Sequence, residues 1–107
     1  MDSILISVKK LVGISQEDTS FDTDLIIHIN SVFMILKQLG IGPKDGFSIT
    51  SDLATWNDFL ADGSNLAAVK SYMYAKVRLL FDPPTIASVL ESLKAQIVEL
   101  EWRLMVE

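Results

Sequence analysis

The chain has 107 residues, 50% of them hydrophobic and 21% charged, a balance that predicts a folded domain and excludes a disordered tail. We expect residues 1–107 to form a single domain, because this length is typical of one. Lysine and arginine total 9 against 14 acidic residues, so the net charge of −5 gives no overall attraction to nucleic-acid phosphates. The absence of cysteine excludes disulfide bonds, thiolate metal sites and cysteine nucleophiles.

Helical periodicity dominates the first 40 residues. The apolar spacing from Ile4 to Val12 predicts a short first helix that ends at Gly13. After an acidic, hydroxyl-rich connector, a second helix is predicted to run to about Gln38 and to stop at Gly40. Its N-terminus has three candidate capping residues, Thr19, Ser20 and Thr23.

The second helix is apolar on two faces. One face is predicted to carry Leu25, Ile29, Val32, Leu36 and Leu39. Ile27 and Met34 point to roughly the opposite side of the helix. A helix of this kind is either buried in the centre of its domain or covered by another chain.

A glycine-rich segment follows. Residues 40–50 contain three glycines and a proline, which predicts an irregular loop, with a short extended piece at residues 47–49. A short third helix is predicted through Trp56 and Phe59, capped by Ser51 or Asp52 and ended by residues 62–63.

Two longer helices complete the predicted all-α bundle of four to five helices. The fourth starts at Ser64 or Asn65 and ends before Pro83. The fifth starts at about Thr85 and is the long C-terminal helix. Its apolar residues repeat at heptad spacing and form a seam of Ile86, Leu90, Leu93, Ile97, Leu100 and Leu104. We interpret most of this seam as packing within the chain, and a coiled coil between two chains as the alternative.

Reactive chemistry has little support in the sequence. His28, the only histidine, fits a partly buried helical position better than a metal ligand or a base. The acids around Asp22 lack the glycine turn and closing glutamate of a calcium loop, and the glycines at positions 40 and 42 lack the lysine of a phosphate-binding loop. The basic residues of the fourth helix do not share one face. We therefore predict a protein that is not an enzyme, with no metal and no cofactor.

Targeting signals are not apparent in the sequence. No basic segment precedes the apolar residues near the N-terminus, as a secretory signal would require. The most apolar stretch, residues 25–39, is shorter than the roughly 20 residues of a membrane span and includes polar side chains. We expect no membrane association and a product made in the cytoplasm of its cell.

Four segments together resemble a known family over nearly the whole chain. They are VKKLVGI at residues 8–14, GFSI at 46–49 followed by WNDFL at 56–60, VKSY at 69–72 running into KVRLLFDPP at 76–84, and ELEWRL at 99–104. The chain resembles the small head–tail connector proteins, also called adaptor or head-completion proteins, of tailed phages and prophages, especially those of Gram-positive hosts. KVRLLFDPP is the most specific of these segments.

The resemblance implies a structural virion protein at the head–tail interface, present in the host cytoplasm before assembly. It implies a ring of about twelve or thirteen copies that lies beneath the portal, extends the DNA channel and receives the next connector or tail component. Genomic DNA would pass through without sequence-specific binding. The family brings no catalytic residues. The alternative is a stand-alone helical adaptor or regulator that binds a partner helix through the seam of the fifth helix.

Two sets of residues are candidates for interaction surfaces. We hypothesise that Ile27 and Met34 belong to a subunit interface of the ring. A second hypothesis assigns portal binding to the large apolar residues at the end of the last helix, which are Trp102, Leu104, Met105 and Val106. Packing of Trp102 in the core is the alternative to this second hypothesis.

Overall fold

The computed structural model describes residues 3–60 and 66–105, which contain five helices and no β-strand. The helices are α1 (Ile4–Leu11), α2 (Asp22–Gln38), α3 (Trp56–Phe59), α4 (Leu66–Phe81) and α5 (Ala87–Met105). The all-α prediction is confirmed, including the long C-terminal helix and the irregular loop after α2. α3 ends at Phe59, earlier than the predicted end at residues 62–63, because Leu60 has a non-helical backbone with φ −140° and ψ 86°. The predicted start of α4 at Ser64 or Asn65 lies outside the described residues.

The observed helix caps differ from the predicted ones. Phe21 is the N-cap residue of α2 and makes no side-chain hydrogen bond there. For α3 the cap is Thr55, whose hydroxyl accepts from the backbone N–H of Asp58 while the Asp58 carboxylate accepts from the N–H of Thr55. This reciprocal pairing satisfies two free backbone donors. Ser51 and Asp52 lie too early in the chain to reach them.

α4 is the central helix of the fold, with α2 and α5 on opposite sides of it. Tyr72 and Phe81 are nine residues apart on α4, which is about two and a half turns, so their side chains point in opposite directions. Tyr72 is fully buried and its hydroxyl donates to Glu101 of α5 across 2.6 Å. The Phe81 ring lies 5.4 Å from the ring of Phe21, which precedes α2. The three helices form a layer, and the Cα extents of 37 × 34 × 19 Å are correspondingly flat.

Both outer helices run antiparallel to α4. The end of α4, at Phe81, meets residues at the start of α2, because the Phe81 ring also lies 6.3 Å from the His28 ring. Tyr72, in the first half of α4, meets Glu101 near the end of α5. Consequently α2 and α5 run parallel to each other along the two outer edges of the layer.

The core is built from inward-facing residues of all five helices, including Val8, Ile29, Trp56, Met73 and Ile97. Among residues 3–60 and 66–105, one charged residue is buried with them. The Lys9 side chain is only 2% exposed, and its ammonium lies 2.9 Å from the Asp22 carboxylate and donates to the Gln16 carbonyl across 3.1 Å. A buried ammonium requires such partners, and these join α1 to the first residue of α2.

Candidate interaction surfaces

The outer face of α2 carries an exposed apolar ridge. Ile27 is 58% exposed and Met34 is 63% exposed, and their separation of seven residues is about two turns, so they share one side of the helix. Ser31 lies between them, exposed, with its hydroxyl bonded to the Ile27 carbonyl across 3.0 Å. We call Ile27, Ser31 and Met34 the α2 ridge. The ridge faces away from α4, because the buried residues of α2 occupy the other side.

The outer face of α5 carries a second exposed apolar surface. Val98, Trp102 and Met105 are 64%, 61% and 58% exposed and follow one another at intervals of four and three residues, which places them on one side of the helix. We call these three residues the α5 stripe. Val98 was not among the sequence candidates. The spacing of four residues between Val98 and Trp102 could have placed Val98 on the same face of the helix. The heptad seam is a longer apolar pattern in the same helix and dominated the sequence analysis.

The hypothesised portal surface is only partly available in the structure. Trp102 and Met105 are exposed, so Trp102 does not pack in the core. Leu104 is 2% exposed and belongs to the buried core. Val106 lies outside the described residues. Consecutive residues of a helix are about 100° apart, which explains why Leu104 faces inward between two exposed neighbours.

The heptad seam of α5 faces α4. Leu93, Ile97 and Leu104 are buried in the core, and Leu100 packs against it. Ile86, at the other end of the seam, precedes the helix and is exposed. The interpretation of most of the seam as packing within the chain is therefore confirmed. A partner helix has no access to these buried residues while α4 covers them.

The glycine-rich loop is held on α2 by a pair of hydrogen bonds and by ring packing. Asn30 donates through Nδ2 to the Ile49 carbonyl across 2.9 Å and accepts the Ile49 N–H through Oδ1 across 2.8 Å. Ile49 is buried, and the Phe47 ring packs 5.0 Å from Phe33 of α2. The extended piece predicted at residues 47–49 therefore pairs with a side chain and forms no strand. Met34 borders a groove of 370 Å³ between α2 and this loop.

The polar residues singled out in the sequence have structural partners. His28 packs edge-on against Phe81. The Ser20 hydroxyl and backbone N–H both donate to the Asp18 carboxylate, and these bonds lower the pKa of Asp18. Within residues 3–60 and 66–105, no group of three or more His, Asp or Glu side chains is placed to hold a metal ion.

Two basic residues of α4 contact aromatic side chains of the same chain. The Lys70 ammonium lies 5.8 Å from the centre of the Trp56 ring, and the Arg78 guanidinium donates to the Tyr74 hydroxyl across 3.2 Å. Within residues 3–60 and 66–105, none of the helices meets the length and hydrophobicity that a membrane span requires. Several large apolar side chains stay exposed in the described part of the chain, and those on the outer faces of α2 and α5 are grouped on one side of each helix.

A comparison with protein families identifies the family of the chain. The model of a family described as phage connector protein matches residues 4–107, nearly the whole chain. This chain belongs to the phage connector protein family. Searches of curated proteins and of solved structures found no match.

Membership of the connector family confirms the resemblance seen in the sequence at the level of the family. It implies a structural role at the junction between phage head and tail for this connector. The type of host remains a prediction. The match begins at the first residue of α1 and includes all five helices, so the α2 ridge and the α5 stripe both belong to the connector fold.

Proposed function

We propose that this chain is a ring-forming subunit of the head–tail connector. In this proposal the ring lies beneath the portal, extends the DNA channel and receives the next connector or tail component. The observation that carries the proposal is the presence of two different exposed apolar surfaces, the α2 ridge and the α5 stripe, in a phage connector chain. A closed ring needs two different patches on each subunit, since each copy contacts one neighbour with each patch.

The charge of the chain is consistent with a DNA channel. Its net charge of −5 opposes adhesion to DNA, and a channel wall must let the genome slide past. Sequence-specific DNA contacts have no place in this role. Trp102 and Met105 have two candidate partners in such an assembly, the portal and a neighbouring copy of the chain.

The alternative function, an adaptor that binds a partner helix through the α5 seam, is disfavoured by the burial of that seam. Leu93 and Ile97 would have to leave α4 before a partner could replace it. An adaptor of this kind would be a monomer or dimer in solution, and it would not bind the portal.

Mass measurement of the chain with and without a purified portal ring tests the proposed function. We expect the natural chain to join a high-order ring when the portal is present, even if it is monomeric alone. Double substitution of Ile27→Asp and Met34→Asp should abolish the ring and leave the helical circular dichroism unchanged. Leu53→Asp is the matched control, because Leu53 is an exposed apolar residue outside both surfaces. Failure of the natural chain to associate with the portal would contradict the proposed function.

A further inference from the structure

We propose that the α5 stripe of one subunit packs on the α2 ridge of the next, so that the three-helix layers of neighbouring copies join side by side. This inference rests on the proposed ring function and names the contact that closes the ring. The stripe contributes Val98, Trp102 and Met105. The ridge contributes Ile27 and Met34, with Ser31 between them.

The positions of the two surfaces favour a contact between copies. α2 and α5 lie on opposite sides of α4, and the ridge and the stripe lie on faces that α4 does not cover. A copy placed beside the first therefore brings its α5 against the exposed α2 of its neighbour. The same arrangement repeats at every copy, and a small rotation between copies closes the chain of contacts into a ring.

The direction of the helices is also compatible. Within one subunit α2 and α5 are parallel, since both run antiparallel to α4. Adjacent copies related by the rotation of a ring keep that relation, so α5 of one copy lies along α2 of the next in the same direction. Parallel helices can match side chains turn by turn over two turns.

The spacing of side chains on the two surfaces matches in this parallel arrangement. Ile27 and Met34 are seven residues apart, and so are Val98 and Met105. When Ile27 is aligned with Val98, the small Ser31 lies opposite the large Trp102 ring. A small residue facing a large one allows the two helices to approach closely.

Charge supports the same alignment. Asp24 lies one turn before Ile27 and is exposed, and Lys94 lies one turn before Val98 with half of its side chain exposed. The alignment therefore brings a carboxylate and an ammonium together at one end of the apolar contact. Opposite charges at the rim of an interface favour one register over others. The Lys94 ammonium also lies 3.7 Å from the Glu91 carboxylate in its own helix. The contact between Asp24 and Lys94 of neighbouring copies therefore selects the register more than it adds affinity.

Disulfide trapping tests this contact directly, because the chain contains no cysteine of its own. Met34→Cys and Met105→Cys are prepared as separate variants, mixed in equal amounts with the portal ring, and oxidised. We expect a crosslinked dimer that contains one copy of each variant, and at least tenfold less product when either variant is oxidised alone. Met34→Cys mixed with Glu99→Cys is the matched control, since Glu99 is an exposed α5 residue on another side of the helix.

A complementation assay provides a second measurement. Ile27→Asp/Met34→Asp copies keep the stripe, and Trp102→Glu copies keep the ridge. Neither variant should form rings alone, whereas an equal mixture at high concentration should form a dimer through the one intact contact. Both variants change exposed side chains, so the monomers should stay folded, and circular dichroism checks this.

The outcomes separate this inference from the proposed function. Rings of the natural chain on the portal, with no more Met34–Met105 crosslinking than in the control pair, would overturn the inference and leave the ring function intact. Rings of Trp102→Glu copies that form normally but no longer hold the portal would assign the stripe to the portal and also overturn it. Absence of any portal-dependent ring of the natural chain would contradict the proposed function itself.

Discussion

Asn30 and Ile49 are joined by a pair of hydrogen bonds in which a side-chain amide takes the place of a neighbouring strand. The amide Nδ2 donates to the Ile49 carbonyl across 2.9 Å, and Oδ1 accepts the Ile49 N–H across 2.8 Å. Ile49 is buried, so its backbone groups would otherwise lack partners. Together with the Phe47 ring that packs on Phe33, this contact holds the glycine-rich loop against α2.

Substitution of Asn30→Ala should destabilise the chain by about 2 kcal/mol, because two backbone groups of a buried residue lose their partners. Urea denaturation measures the change in the free energy of unfolding. Ser31→Ala is the control next in sequence. Its exposed hydroxyl bonds within its own helix, and its loss should cost less than about 0.5 kcal/mol. Equal effects of the two substitutions would contradict this role of Asn30.

Gly42 lies in the same loop where the backbone passes over a buried ring. It has a positive φ of 94°, and a Cβ atom at this position would lie 2.4 Å from Cε1 of Phe59. Gly42→Ala should therefore cost both backbone strain and a clash, about 2–4 kcal/mol together. Gly40→Ala is the matched control, because Gly40 has a φ of 84° with no atom within 4 Å of its Cβ position. It should lose only about 1 kcal/mol in thermal or urea unfolding.

The Tyr72–Glu101 hydrogen bond between α4 and α5 predicts a loss of stability in alkali. Burial raises the pKa of Tyr72, and the hydrogen bond to Glu101 and the negative charge of Glu101 raise it further. Above a pH of about 10 the unfolded chain releases this proton while the folded chain retains it, so stability falls as the pH rises. Urea denaturation at pH 7 to 11 measures this slope.

Tyr72→Phe removes the titrating group and serves as the comparison. The variant should lose about 1 kcal/mol at pH 7, where the natural chain keeps its hydrogen bond. Its free energy of unfolding should then fall less steeply above pH 10 than that of the natural chain. Parallel curves for the two proteins over this range would show that Tyr72 does not cause the alkaline loss.

Substitution of Leu104 should reduce the stability of the fold, whereas substitution of Trp102 should weaken assembly of the ring. Leu104→Ala removes buried side-chain volume between α5 and the core and should cost about 2–4 kcal/mol of stability. Trp102→Ala should change the stability of the isolated chain by less than about 0.5 kcal/mol and should weaken the ring. Thermal unfolding and mass measurement with the portal separate the two. Deletion of residues 102–107 would mix both effects, because it removes Leu104 as well.

The pattern of apolar residues alone predicted the helices and the α5 seam. The repeat of 3.6 residues is a local property of the chain, and it placed Leu93 and Ile97 on one side of α5 and set Ile27 and Met34 apart from the other apolar residues of α2. The family resemblance was equally available from local segments, because KVRLLFDPP and the shorter motifs are read in sequence order.

Only the tertiary structure decided which apolar residues remain uncovered and which polar ones are buried. Leu104 and Met105 are adjacent and similar in hydrophobicity, yet contact with the core buries the first and leaves the second exposed. Lys9 can be buried because its ammonium contacts the Asp22 carboxylate and donates to the Gln16 carbonyl. Such contacts join residues that are distant or unremarkable in sequence. The placement of α2 and α5 at opposite edges of one layer depends on how both helices pack against α4. This packing cannot be predicted from a local sequence pattern, because it joins residues that are far apart in the chain.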